Sequence, residues 1–171
     1  MKQARVGWVL VVIQFGLLLA LVLVPTGTAW PMPLPLPLRL ISWALLGVGL
    51  GLVVAASLNL GRALTPTPVP NGRSGLRTDG LYRLMRHPIY TGVLSLVAGI
   101  TLGSRHWLGL ALGAITVVFF HLKARWEEHR LAEVFADYGD YAARTPRFVP
   151  RLLPGLLPGR LSGQRSGERR S

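Results

Sequence analysis

The sequence holds no cysteine. That excludes disulfides, thiolate nucleophiles and cysteine-based zinc sites. It is also short of charge: Asp, Glu, Lys and Arg make up 15% of the 171 residues, against about a quarter in soluble domains. A composition so poor in charge excludes an ordinary soluble globule and a disordered chain. Acidic residues are scarce, 7 against 19 basic ones, and only two of the basic residues are lysines. A Gly-rich phosphate loop and a Gly-x-Ser-x-Gly elbow are both missing. His121 and His129 lack metal-ligand spacing with carboxylates, so no metal site is expected.

What the chain does have is apolar residues in long blocks. Half of it is hydrophobic, and the mean hydropathy is +0.42. A membrane-crossing helix needs about 20 apolar residues. Residues 6–24 qualify, with Gln14 as their only polar side chain. Residues 40–60 qualify as well, interrupted only by Ser42, Ser57 and Asn59. Residues 87–103 and 107–122 are shorter apolar runs separated by a tight turn, which reads as a transmembrane hairpin. The expected fold is all-α: an integral-membrane helical bundle of about four transmembrane helices, with a C-terminal helical hairpin and a cytoplasmic helical extension. Three regions follow. Residues 1–60 hold two N-terminal spans and a Pro-rich connector, 61–150 a core, and 151–171 a basic, disordered tail.

Basic residues set the orientation. Along the chain the polar segments hold two, one, five, one and ten Lys or Arg. The alternation places both termini and the long middle loop on the cytoplasmic side, as in a bacterial inner membrane. The net charge of +12 is then topological, and no nucleic-acid partner is expected. The apolar stretch of the first span exceeds the roughly 7–15 residues of a signal peptide and reads as an uncleaved anchor. Between the first two spans, Pro31, Pro33, Pro35 and Pro37 alternate with other residues. That pattern predicts an extended connector through residue 38.

The chemistry concentrates between residues 70 and 150. Asn71-Gly72 and Thr78-Asp79-Gly80 are turn signals. Next comes Arg86-His87-Pro88-Ile89-Tyr90-Thr91-Gly92. Pro88 sits where a helix would begin. The free amides after it would lie at the positive end of a helix dipole, which binds carboxylates and phosphates. Tyr82 and Tyr90 supply aromatic faces. Each residue also has a purely structural use: Arg86 as a membrane-flank anchor, Pro88 as a helix start, Tyr90 as an interfacial aromatic. Beyond the last span lie Lys123 and, four residues on and on the same helix face, Glu127, followed by Glu128. Adjacent glutamates fit a solvated surface pair, or a partner for the ammonium or ribose hydroxyls of a ligand. His106 falls on the opposite membrane side and reads as structural.

These residues resemble the isoprenylcysteine carboxyl methyltransferase and phospholipid methyltransferase superfamily of integral membrane enzymes. The match runs from Gly80-Leu81-Tyr82 through Arg86-His87-Pro88-Ile89-Tyr90-Thr91-Gly92 and the apolar hairpin to Glu127-Glu128. It continues with Leu131, Phe135, Tyr138, Tyr141 and Pro146-Arg147-Phe148-Val149-Pro150. The resemblance implies S-adenosylmethionine as cofactor, held by Ser74, Gly75, Leu76 and Arg77, by Tyr82, by His87, Pro88, Ile89 and Tyr90, and by Glu127 and Glu128. It implies Lys123 as the residue that orients the methyl acceptor in catalysis. It also implies a bilayer and a lipid-like acceptor as partners, the latter offering a prenylated-cysteine carboxylate or a phospholipid amine. Oligomeric state is not readable. Three functions stand: a membrane methyltransferase, a nicotinamide-dependent membrane reductase akin to sterol reductases, and a non-catalytic membrane protein of the same shape.

Overall fold

A computed structural model describes residues 2–25, 34–61 and 75–150, with side chains from residue 5 onward. Pro31 and Pro33, the Asn71-Gly72 turn, Ser74 and the tail 151–171 lie outside the described residues. All regular structure among the described residues is helical. The helices are α1 (Lys2–Val22), α2 (Leu36–Leu60), α3 (Leu81–Leu84), α4 (Pro88–Ser104), α5 (Trp107–Val134) and α6 (Tyr138–Arg144). Three of them, α1, α2 and α5, are long and apolar enough to cross a membrane; α4 is equally apolar but has only 17 residues. Trp8, Phe15, Trp43, Leu58 and Val118 all stand exposed on the outer faces. Helices apolar on their outer faces suit lipid rather than water, and the protein is a multi-pass integral membrane protein.

Helix starts follow local chemistry. The connector was expected to stay extended through residue 38, but α2 begins at Leu36, with Pro35 as its cap and Pro37 in its first turn. The first-turn amides have no intrahelical partner, so a proline there loses nothing. Pro88 opens α4 as expected, with His87 as cap. The helix ends at Ser104, and Arg105 after it adopts a left-handed φ of 53°. His106 then caps α5, its Nδ1 accepting from the Leu108 amide at 3.1 Å, which is the structural use foreseen for it. From there α5 runs unbroken for 28 residues. The apolar segment and the segment bearing Lys123, Glu127 and Glu128 are therefore one rod.

Helix α4 lies antiparallel along α2, and the two backbones approach closely. A Cβ added to Gly49 would stand 2.7 Å from the Gly92 carbonyl, and one added to Gly92 would stand 2.8 Å from the Gly49 carbonyl. The Ser42 hydroxyl donates to the Gly99 carbonyl, and the Ser95 hydroxyl to the Leu45 carbonyl, each at 2.8 Å. Small residues and hydroxyl bonds of this kind join helices where lipid supplies no hydrophobic drive. Thr101 of α4 packs on Gly113 of α5, while Val24, beyond α1, comes near Gly109. Gln14 of α1 reaches Lys123 of α5. These antiparallel contacts gather the end of α2, the start of α4 and the end of α5 at one end of the bundle. At that end Gly80, with φ +55°, sits so close to the Asn59 side chain that a Cβ would lie 2.4 Å from it.

Candidate functional site

The first wall of the site is the entrance of α4. His87 is 8% exposed, and Pro88 behind it is fully buried. One turn on, Tyr90 stacks on the His87 ring, with centroids 5.2 Å apart and planes 8° from parallel. Phe120 of α5 supports Tyr90 edge-on at 5.0 Å. Since Pro88 has no N–H, the unpaired donors of this first turn are the amides of Ile89 and Tyr90; the Thr91 amide already bonds the His87 carbonyl.

The second wall is the inner face of α5. Lys123, Glu127 and Glu128 are 4%, 8% and 9% exposed, so the glutamates are not the solvated pair that their adjacency allowed. Charges taken out of water need partners, and these have them. Tyr90 donates its hydroxyl to Glu127 Oε1. Glu127 Oε2 lies 3.7 Å from His87 Nδ1, beyond hydrogen-bond length, and so retains accepting capacity. Lys123 donates to the side-chain oxygen of Gln14 and stands 5.2 Å from the Tyr90 ring centroid.

The third wall is the segment after α6. Arg147 grips Glu128 with two parallel bonds, Nε to Oε1 at 2.8 Å and Nη2 to Oε2 at 2.6 Å. That bond pushes the Arg147 guanidinium above its ordinary pKa. His87 Nε2 meets Glu128 Oε1 at 3.1 Å, and Arg86 Nη1 lies 3.4 Å from Oε2. The backbone adds a short ladder. The Arg86 amide donates to the Pro146 carbonyl at 2.9 Å and the His87 amide to the Arg147 carbonyl at 3.1 Å. The Thr91 hydroxyl donates to the Phe148 carbonyl at 2.8 Å. Tyr141 of α6 fastens the far side, its hydroxyl donating to the Tyr82 carbonyl at 2.6 Å.

Of the residues singled out from sequence, His87, Pro88, Tyr90, Lys123, Glu127 and Glu128 thus converge on one buried cluster. Ile89 lies in the same turn of α4, partly exposed. Tyr82 is buried beside them; burial pushes its hydroxyl up to about 12, against the pull of Arg77, so it stays neutral. Gly75 and Arg77 are exposed and Leu76 partly so, with Arg77 paired to Asp79 at 2.8 Å. Ser74 is outside the described residues. Sequence reading gave no role to Gln14 or Arg147. The signal for Gln14 was present, since a lone polar residue in a span is costly and marks function. Nothing in the sequence announced Arg147 as the partner of a glutamate 19 residues earlier.

Comparison with known proteins adds a family. Residues 38–138, more than half of the chain, match the family model described as phospholipid methyltransferase. No curated protein matches the sequence. The matched region runs from the first turn of α2 to the start of α6, so it contains the α4 and α5 walls and leaves out α1 and Arg147.

Proposed function

The chain belongs to the phospholipid methyltransferase family, and from that premise we propose that it transfers the methyl group of S-adenosylmethionine to a lipid-borne acceptor. The transfer would occur at the membrane face where α4 begins and α5 ends. The observation that carries this reading is the buried cluster of His87, Tyr90 and Glu127 at a proline-opened helix start, with one carboxylate oxygen of Glu127 still able to accept.

The donor set fits the cofactor's chemistry. The amides of Ile89 and Tyr90 suit a carboxylate. Glu127 Oε2 suits an ammonium or ribose hydroxyls. The Tyr90 and His87 ring faces suit a sulfonium by cation–π attraction. Gly75, Leu76 and Arg77, with Ser74, would border the same ligand from the cytoplasmic loop, and Tyr82 would contribute a neutral hydroxyl. When bound, S-adenosylmethionine supplies a methyl group activated by positive sulfur. The protein's part is alignment, which can contribute on the order of 7–11 kcal/mol in an in-line displacement. Glu128 serves the site from behind: its oxygens are held by Arg147, His87 and Arg86, so it keeps the third wall closed on the first. Lys123 orients the acceptor, a carboxylate as on a prenylated cysteine or an amine as on a phospholipid. In this reading α4 completes a fourth span, α4 and α5 form a transmembrane hairpin, and both termini and the site face the cytoplasm of a bacterial cell.

Calorimetric titration of the purified protein with S-adenosylmethionine tests the proposal. His87→Ala and Glu127→Ala should each weaken binding by roughly 1–3 kcal/mol, the cost of leaving a buried polar partner unmet. Two folded variants with unchanged affinity would defeat it.

A further inference from the structure

Lys123 is buried at 4% exposure, and its hydrogen-bond partner is neutral. Its ammonium donates to the amide oxygen of Gln14 and faces the Tyr90 ring. Glu127, one turn further along α5, gives an oxygen to the Tyr90 hydroxyl instead. An ammonium has three donors and no acceptor. With one N–H on Gln14 and the ring face taking up a second direction, a donor remains for an incoming oxygen.

Gln14 comes from α1, outside the residues that match the family. It is the only polar side chain among residues 6–24, in a helix where any aliphatic residue would be cheaper. A glutamate in its place would hold Lys123 at least as firmly and would also cancel its charge. A glutamine holds the ammonium and adds no second carboxylate, so Glu127, one turn along and outside ion-pair contact, is the one acid acting on its charge among the described residues. We infer that Gln14 is a positioning residue: it presents the Lys123 ammonium, with no carboxylate bonded to it, to an anionic group carried on the lipid acceptor, a carboxylate or a phosphodiester. On this inference α1 completes the acceptor side of the site. The inference rests on the reading that Lys123 faces the acceptor, and the experiment separates the two.

The probes are dioleoylphosphatidylglycerol and oleate as anionic lipids, dioleoylphosphatidylcholine as the zwitterionic one, and inorganic phosphate and acetate as free anions. Native mass spectrometry of the full-length protein in detergent reads which lipids stay bound. S-adenosylmethionine affinity reports that each variant is folded. The wild type should prefer the anionic lipids, and free phosphate or acetate should not displace them. Gln14→Glu should lower that preference about tenfold, equivalent to about 1.4 kcal/mol, with cofactor affinity near wild type. Gln14→Leu, which loses the hydrogen bond but keeps the charge, should lower it less. A merely structural glutamine gives the reverse order, Leu worse than Glu, and that order overturns the inference. So does loss of preference in Lys123→Met with both Gln14 variants unchanged, which would leave the role of Lys123 standing. Full preference in Lys123→Met overturns both. Displacement by free phosphate or acetate overturns the lipid-borne part.

A second measurement needs no variant. Lys2 and Lys123 are the only lysines, so Lys2 is an internal reference for acetylation. In nanodiscs of dioleoylphosphatidylcholine, added dioleoylphosphatidylglycerol or oleate should slow acetylation of Lys123 severalfold relative to Lys2. An unchanged ratio would also overturn the inference.

Discussion

Arg147→Ala should loosen the C-terminal segment from the entrance of α4 by a predictable amount. Arg147 makes two bonds to Glu128, at 2.8 and 2.6 Å, with side-chain exposures of 25% and 10%. Bonds to charged groups contribute about 1.5–3 kcal/mol each when buried, and exposed ion pairs about 0–1 kcal/mol. This pair lies between those limits. Glu128 is not stranded by the change, because His87 Nε2 remains at 3.1 Å and Arg86 Nη1 at 3.4 Å. The roughly 3–5 kcal/mol cost of orphaning a buried charge therefore does not apply in full. About 2 kcal/mol is expected, close to thirtyfold in an opening equilibrium. The amides that read this opening are known. Arg86 and His87 donate to Pro146 and Arg147 carbonyls, so in the variant both should exchange hydrogen about thirtyfold faster. Amides in the middle of α4, such as Gly99, should not change. Hydrogen exchange read by mass spectrometry in detergent resolves these peptides. A change below about threefold at Arg86 and His87 would show that backbone bonds alone hold the segment.

Two further outcomes are expected. Gly92→Ala should cost about 1–3 kcal/mol through overpacking, because its Cβ would meet the Gly49 carbonyl at 2.8 Å. Gly47→Ala, whose Cβ meets nothing within 4 Å, should be neutral or stabilising by up to about 1 kcal/mol; equal denaturation midpoints in detergent for the two would refute the close approach of α2 and α4. A phosphatase reporter fused after Leu38 should be active outside the cytoplasm and one fused after Pro70 should not, as the alternation of basic residues requires. Activity at Pro70 would invert the orientation.

The three long apolar helices were legible because their signal is local: a run of apolar residues needs no knowledge of its neighbours. The start of α4 was legible for the same reason, since Pro88 both permits a helix and marks its first position. Pro37 misled, because an alternating proline pattern reads as extended unless its last member falls in a first turn, and the sequence does not say where that turn begins. The convergence of His87 and Tyr90 with Glu127 and Glu128 was available only through family resemblance. Physical chemistry alone left the glutamates equally suited to the surface. The Gln14–Lys123 bond spans 109 residues, and no local rule pairs a glutamine in one apolar span with a lysine in another. What decides such pairs is helix order in the bundle, which periodicity does not encode.

Burying this many polar groups at the end of a membrane bundle calls for a reason beyond stability. Desolvating a carboxylate or an ammonium costs several kcal/mol, and apolar replacements of similar volume are often at least as stable. The two glutamates answer differently. Glu128 is held on both oxygens, and what it holds is the chain itself. Glu127 is held on one oxygen by Tyr90, and Lys123 by a neutral amide. Glu127 Oε2, with His87 at 3.7 Å, keeps capacity for a further cation or hydroxyl, and Lys123, in the field of Glu127 but bonded to no carboxylate among the described residues, keeps a donor for an anion. They sit one turn apart on a single unbroken helix, the acid toward its cytoplasmic end in the proposed orientation and the base toward the membrane. A cofactor reaching that helix from water and an acceptor reaching it from lipid would each meet the complementary charge first.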